Sequence, residues 1–158
     1  MAIIISGLQH FVRRNNFILA KPNSISVKLH PDPITGANAI TGHGRGFVAI
    51  NGGNISHPVI VLPDKLINPW PITSPSASAL SLCIADFATV IDLKPELVVF
   101  GSGAFFRFPD RRIMAAFAEA RIGFEVMDTP AACRTYNVLM SEGRRIAATL
   151  LVGSIFQS

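Results

Sequence analysis

The spacing of apolar residues divides the chain into two parts that predict different kinds of structure. The first part carries short apolar runs broken by glycine and proline, and residues 25–29 alternate apolar with polar side chains, as a half-buried strand does. An Asn-Gly-Gly sequence at 51–53 favours a tight hairpin turn, because Asn and Gly accept the positive φ angles that such a turn requires. We therefore predict antiparallel strands at 47–50 and 59–62, joined through this turn.

A helix is predicted over 79–91, where apolar residues recur at helical spacing. Its predicted buried face contains Leu80, Ile84, Phe87 and Ile91. Asp86 and Asp92 are expected to face solvent. Lys94 and Pro95 end the pattern, because proline cannot continue a helix.

Strands and helices alternate through the rest of the chain. Apolar runs at 97–100, 124–127 and 146–152 predict strands buried by other elements. One helix is predicted to start at Asp110 or at the proline before it, and the next at Thr129, whose hydroxyl precedes a proline at the first helical position. The order strand, helix, strand predicts parallel neighbours joined by a right-handed crossover.

Parallel neighbours end at the same edge of a sheet, and polar residues follow both strands. The Gly-Ser-Gly sequence at 101–103 should therefore lie beside Asp128 and Thr129, at the kind of edge where α/β sheets bind ligands. The helix that starts there presents N–H groups that favour an anion. The candidate ligand-binding residues are Gly101, Ser102, Gly103, Arg107, Asp128, Thr129 and Arg134. A purely structural interpretation is left open, in which the glycines form a turn and Asp128 and Thr129 cap the helix.

The sequence contains no pattern typical of a catalytic or metal site. The glycine-rich segment 42–46 is not followed by a helical pattern, which favours a turn or bulge over a phosphate-binding loop, and its His43 is expected to be solvated. Cys83 and Cys133 lie in apolar runs and are expected to be buried, although Cys133 falls in the first turn of a predicted helix, where the dipole lowers a thiol pKa. No catalytic residue, metal ligand or cofactor is expected, and enzymatic activity is left open.

Composition indicates a relatively apolar surface. Charged residues make up 15% of the 158 residues, against about 25% in average globular proteins, and the mean hydropathy is +0.42. Either a fully covered sheet or an apolar patch that meets a partner accounts for this composition. The net charge of +4 comes from basic residues that are scattered through the first 62 positions, which argues against a nucleic-acid partner.

The chain length favours one domain, predicted over residues 23–158, after a segment over 1–22 whose pattern defines no element. No apolar run reaches the roughly 18 residues of a transmembrane helix. The start of the chain lacks the basic region of a secretory signal peptide. We therefore expect a cytoplasmic protein whose partner is another protein, and a homo-oligomer is left open.

Three strings in the C-terminal half resemble the signature of a small family of unknown function that includes mitochondrial complex I assembly factor 3. They are PELVVFGSGAFFRFP at 95–109, GFEVMDTPAACRTYNVL at 123–139 and SEGRRIAATLL at 141–151. Family members often have Gly-Thr-Gly where this chain has Gly-Ser-Gly, so Ser102 keeps the hydroxyl. The resemblance implies a three-layer α/β fold, with a mixed central sheet, flanking helices and an N-terminal β-hairpin portion. It also implies one strand that runs against the others, and no established activity or cofactor.

Two functional hypotheses remain. The first is a non-catalytic binding or assembly-factor-like module, as the resemblance implies. The alternative is an anion-binding protein or enzyme that uses the sheet edge at 101–103 and 128–129. The resemblance leaves the direction of the last strand open, because the crossover rule favours a parallel strand and the family sheet contains an antiparallel one.

Overall fold

The computed structural model describes residues 26–29, 36–74 and 77–153. The predicted N-terminal segment 1–22 lies outside these ranges. A small antiparallel sheet comes first in the chain, with its strands in sequential order. Its strands are β1 (Ser26–Lys28), β2 (Ile40–Gly44), β3 (Phe47–Ile50) and β4 (Gly53–Ile55).

The central sheet has five strands in the order β6-β5-β9-β7-β8. These strands are β5 (Val59–Leu62), β6 (Lys65–Ile67), β7 (Leu97–Gly101), β8 (Gly123–Met127) and β9 (Ile146–Leu150). β7 is parallel to both β8 and β9, whereas β5 is antiparallel to β6 and β9. The predicted parallel crossover is confirmed. The last strand is parallel to β7, and the strand that runs against the others is β5.

Helices cover both faces of the central sheet. A short 3-10 helix at Ile84–Phe87 leads into α1 (Ala88–Asp92), which is followed by α2 (Arg111–Glu119) and α3 (Thr129–Ser141). The small sheet and α3 share one hydrophobic core with one face of the central sheet. The 3-10 helix, α1 and α2 share a second core with the other face. The three-layer α/β fold with a mixed sheet is therefore confirmed.

Alternation along each central strand builds the two cores. In β7, Val99 belongs to the core beneath α3, whereas Val98 and Phe100 belong to the core beneath α2. Successive side chains of a strand point to opposite faces, so a strand buried on both sides is apolar throughout. The apolar runs of the sequence arise for this reason.

Two side chains of α3 fasten that helix to the small sheet. Asn137 accepts a hydrogen bond from Ile40 N at 3.0 Å and donates one to Ile40 O at 2.7 Å. The Tyr136 hydroxyl donates to Asn38 O at 2.8 Å, and burial raises the pKa of this phenol. The Tyr-Asn pair of the family-like string at 123–139 therefore joins two layers of the fold.

The hairpin prediction was half wrong. Asn51 and Gly52 do form a tight turn with φ values of 51° and 84°. The strand after the turn is β4, however, which pairs with β3 in the small sheet, and β5 belongs to the central sheet. A local turn signal fixes the reversal of the chain but not how far the returning strand extends.

The predicted helix over 79–91 was also wrong in extent and in its buried face. Helical structure covers only residues 84–92, and Leu80 and Ile84 are exposed. Asp86, expected in solvent, is only 1% exposed. Its carboxylate accepts hydrogen bonds from Cys83 N at 2.9 Å and from Thr73 N and Oγ1 at 2.7 Å each. Paired in this way, the carboxylate tolerates burial.

The strand β1 is less buried than its alternating pattern predicted. All three of its residues are exposed, including Val27. It lies at one edge of the small sheet and pairs with β2 alone among the described strands. An edge strand of this kind leaves its outer backbone groups available to other chains.

Candidate functional site

The predicted site residues do meet at one edge of the central sheet. Gly101 ends β7, and Asp128 follows β8 in the neighbouring position of the register. Thr129 N donates to Gly103 O at 2.7 Å, and Gly103 N donates to the Thr129 hydroxyl at 3.0 Å. That hydroxyl donates in turn to Leu151 O at 2.9 Å. Thr129 therefore ties together the chain segments that follow β7, β8 and β9.

The glycines of this edge have structural reasons to be glycine. A Cβ on Gly101 would lie 2.9 Å from Thr129 Oγ1 and 3.0 Å from Leu150 Cδ2, which is closer than packing allows. Gly103 has a φ of 116°, a conformation that other residues rarely adopt. Both glycines are explained without a bound phosphate.

The N-terminus of α3 has no free N–H group to offer an anion. The Asp128 carboxylate accepts from Ala131 N at 2.7 Å as the helix cap, and Ala132 N donates to Asp128 O. Thr129 N is paired with Gly103 O, and Pro130 has no N–H. The predicted capping hydroxyl is therefore replaced by the Asp128 carboxylate, because Thr129 is the first helical residue and uses its hydroxyl between strands.

Ser102 fixes the conformation of the segment that follows it. Its hydroxyl donates to Phe105 O at 2.9 Å and accepts from Arg107 N at 2.9 Å. We call residues 104–108 the aromatic loop. These two hydrogen bonds hold the loop in one conformation and explain why a hydroxyl at position 102 is useful.

The aromatic loop presents three phenylalanines to solvent. Phe105 is 66% exposed, Phe106 51% and Phe108 57%. The rings of Phe106 and Phe108 contact each other edge to face, with centroids 4.8 Å apart. Our sequence reasoning missed this feature. The available signal was three phenylalanines between a strand and a proline, in a segment where loops are usually polar.

A cavity of about 450 Å³ opens beside Phe105. Its lining includes Phe47 and Pro130, together with the polar residues His43, Arg45 and Thr129. It lies between the turn that joins β2 to β3, the aromatic loop and the start of α3. We call it the edge cavity.

His43 is buried in the wall of the edge cavity, which contradicts the prediction of a solvated residue. It is 7% exposed, and its Nε2 atom has no hydrogen-bond partner in the described part of the chain. Burial, helped by the positive charge of Arg134, lowers its pKa, although Asp128 acts in the opposite direction. The imidazole is therefore neutral at physiological pH. The turn at 45–46 leaves His43 on a paired strand, where the side chain points inward.

Three basic side chains near this edge form no ion pair with the described residues. Arg107 and Arg134 are exposed, and Arg45 lies at the cavity. The nearby Asp110 is paired with Arg112 at 2.8 Å, and Arg112 holds the Asp110 pKa at about 2. The surface at this end of the sheet is therefore apolar and basic.

The cysteines differ from each other. Cys133 is buried in α3, and burial raises its pKa to about 12, which outweighs any effect of the helix dipole. Cys83 is exposed, contrary to prediction, because the helix starts one residue after it. Within the described ranges, no group of His, Cys, Asp or Glu side chains is arranged to hold a metal ion.

The fold and this edge define a class of small α/β domains. The residues of the family-like strings form the hydrogen bonds that join the layers and loops of such a domain. The chain belongs to the family described as Protein of unknown function (DUF498/DUF598), whose sequence profile matches residues 40–151. The resemblance noted in the sequence is thereby confirmed.

Two named relatives differ in what their names describe. The chain is 34% identical over 107 residues to NADH dehydrogenase [ubiquinone] 1 alpha subcomplex assembly factor 3 from Danio rerio, which covers 68% of this chain and 59% of that protein. The chain thus spans little more than half the length of this relative. It is also 26% identical over 111 residues to a protein from Francisella tularensis named 13 kDa major membrane protein, with 68% of this chain and 85% of that protein covered.

Solved structures confirm the fold. A crystal structure of a Bordetella parapertussis protein has a TM-score of 0.64 and 31% identity, covering 76% of this chain and 99% of that one. A solution structure from Bordetella pertussis, described as a Mth938-like domain, has a TM-score of 0.61 and 30% identity, covering 80% and 92%. As for membranes, the described residues contain no helix that is long and apolar enough to span one.

Proposed function

We propose that this chain is a non-catalytic, assembly-factor-like module that binds another protein while a larger complex forms. The assembly-factor relatives support this proposal, since two of them are 34% and 33% identical to this chain over 107 and 109 residues. Their names supply the kind of complex, an NADH dehydrogenase. The chain covers only part of those relatives, so this assignment is an inference from the shared domain.

The main support for the proposal is that the polar side chains at the sheet edge are already hydrogen-bonded within the protein. The side chains of Ser102, Asp128 and Thr129 all form hydrogen bonds with backbone groups of the same edge. A catalytic site needs reactive groups that are aimed at a substrate and remain free to act on it. Here the residues that resemble the family instead build a rigid edge and display an aromatic loop.

The alternative function, an anion-binding protein or enzyme at 101–103 and 128–129, finds less support. The first-turn N–H groups of α3 are paired or absent, so an anion would have to displace the Asp128 cap. Arg107 and Arg134 remain as cations, but exposed arginines alone bind small anions weakly. We keep the seven candidate residues as a proposal for the location of function at this edge.

The cytoplasm remains the proposed location. Fractionation of the native host tests this proposal, because the chain should appear in the soluble fraction, or be released from membranes by salt, rather than require detergent.

Deletion of the gene in its native host tests the function. We expect less fully assembled NADH dehydrogenase on native gels, with partial assemblies accumulating, and recovery when the wild-type chain is supplied. Unchanged assembly in the deletion strain would contradict the proposal. Restoration by an Asp128→Asn variant as well as by the wild type is expected, since the carboxylate serves as a helix cap rather than as a reactive group.

A further inference from the structure

We propose that the aromatic loop and the edge cavity together form a docking surface for an acidic segment of a partner protein, anchored by an aromatic or large aliphatic side chain. This inference rests on the proposed function and specifies the surface and the chemistry of its partner. Four features of the described residues support it.

The first feature is the exposed apolar area of the loop. Phe105, Phe106 and Phe108 are each more than half exposed within four consecutive positions. Contiguous exposed aromatic surface is uncommon in monomers and marks interaction sites, and aromatic side chains often dominate the binding energy of protein interfaces.

The second feature is that hydrogen bonds fix the backbone of the loop while its rings stay exposed. The two hydrogen bonds of Ser102 fix the backbone at Phe105 and Arg107. A partner that binds a preformed loop loses less conformational entropy than one that must first order it. The exposed rings are therefore already organised for contact.

The third feature is the concave shape next to the rings. The edge cavity holds about 450 Å³ and has Phe105 in its wall. It also contains His43, whose buried Nε2 lacks a partner among the described residues. Buried polar atoms are nearly always paired in folded proteins, so an inserted aromatic side chain with a polar tip would satisfy this atom. A flat membrane surface would not fill the cavity.

The fourth feature is charge. Arg45 lines the cavity, Arg107 lies within the aromatic loop, and Arg134 is close enough to His43 to lower its pKa. These three cations have no ion-pair partner in the described ranges, whereas Asp128 caps α3. Carboxylates on the partner segment would complement them and speed its association.

Selection from a phage library of short random peptides on the immobilised wild-type chain tests the surface. We expect the enriched peptides to combine an aromatic or large aliphatic residue with a surplus of Asp and Glu. One enriched peptide, synthesised with a fluorophore, then serves as the probe in anisotropy titrations.

Phe105→Ser and Arg107→Ala should each weaken binding of this probe by about tenfold or more, as substitution of interface anchors does. Val138→Ser is the matched control. Val138 is 56% exposed but lies nine residues into α3, about 14 Å along the helix axis at 1.5 Å per residue. This control should change binding by less than about twofold. All three side chains are exposed, so the variants should keep the wild-type melting temperature, which is measured alongside.

Three results would overturn the proposal. The first is the absence of enrichment, or enrichment of peptides without acidic residues. The second is equal binding of the probe to wild type and Phe105→Ser. The third is binding of phosphatidylcholine–phosphatidylglycerol vesicles that depends on Phe105 and Arg107, since that would assign the surface to lipid.

Complementation of the deletion strain separates this proposal from the proposed function. If wild type and Val138→Ser restore assembly and Phe105→Ser does not, both proposals are supported. If Phe105→Ser restores assembly as well, the docking surface is wrong and the assembly function stands. If the deletion has no effect on assembly, the proposed function is wrong, and the peptide titrations still decide the surface.

Discussion

The phenylalanines on and around the central sheet lie in two opposite environments. One group packs beneath the sheet around Phe87, whose ring contacts Trp70, Phe100, Phe117 and Phe124 at centroid distances of 5.1 to 5.9 Å. We call these five residues the aromatic core. The other group stands on the aromatic loop, in solvent. Phe100 and Phe105 belong to different groups although only five positions separate them.

One polar residue fixes the backbone next to each group of aromatic residues. Asp86 joins the backbone at Cys83 to Thr73 beside the aromatic core, and its carbonyl accepts a hydrogen bond from Trp70 Nε1. Ser102 performs the equivalent task for the aromatic loop. Aromatic side chains therefore stabilise the fold in the aromatic core, whereas those of the aromatic loop remain available to a partner.

The largest expected effect comes from removing the centre of the aromatic core. Phe87→Ala should lower the free energy of unfolding by about 3–5 kcal/mol, because it leaves a cavity among four aromatic rings. Urea denaturation followed by tryptophan fluorescence measures the change. Phe87→Leu is the control and should cost less than half as much. A small loss for Phe87→Ala would show that the core tolerates the vacancy.

Asp86→Asn should lower the free energy of unfolding by about 2 kcal/mol at neutral pH, because the amide cannot accept from Cys83 and Thr73 at once. Burial opposes ionisation of Asp86, but the hydrogen bonds from Cys83 and Thr73 outweigh it and keep its pKa below the ordinary value. The charge therefore stabilises the fold above about pH 4, the unfolded-state value, and this contribution is lost as the pH falls through the lower folded-state pKa.

Denaturation of wild type and Asp86→Asn over a series of pH values measures this dependence. The difference between the two proteins should be constant near neutrality and shrink in acid. A difference that grew in acid would mean that the carboxylate is not held in its ionised form.

Ser102→Ala should have a moderate effect, about 1 kcal/mol, since it removes two hydrogen bonds from a partly buried loop. The local consequence is more informative than the global one. The amide of Arg107 should exchange its hydrogen much faster, while amides in β7 keep their protection. Unchanged exchange at Arg107 would mean that the loop does not depend on Ser102.

Phe105→Ser should change the free energy of unfolding by less than about 0.5 kcal/mol, because the ring is 66% exposed. Thermal denaturation checks this expectation, with Val138→Ser as a matched exposed control. A large loss of stability would place Phe105 in the structural group after all and remove the contrast between the aromatic core and the aromatic loop.

The sequence predicted the C-terminal half of the fold well because its signals are local. The runs at 97–100 and 124–127 and the Thr-Pro pair at 129–130 each specify one element, and the crossover rule then brings Gly101 next to Thr129. The same reasoning placed the Gly-Ser-Gly sequence and Thr129 at one edge of the sheet, where they lie. It could not decide between a ligand site and a structural junction, because that depends on which hydrogen bonds form between segments.

The errors in the prediction arise where distant residues decide the outcome. Asp86 is buried because Thr73, thirteen positions away, and Cys83 donate to it. His43 is buried on β2, against which α3 packs from far along the chain. The hairpin turn at Asn51 was recognised, but β5 pairs with β6 and with β9, and β9 lies nearly ninety residues further along the chain. Periodicity carries no information about such pairs.

A photo-crosslinker placed at position 105 tests the central claim most directly. Replacing Phe105 by p-benzoylphenylalanine keeps an aromatic ring on the loop, and the same substitution at Val138 is the control. On irradiation in the native host, we predict one protein adduct from position 105, attached at a segment rich in Asp and Glu, and little or none from position 138. Equal adducts from both positions, or lipid as the main product at position 105, would contradict an acidic protein partner at the aromatic loop.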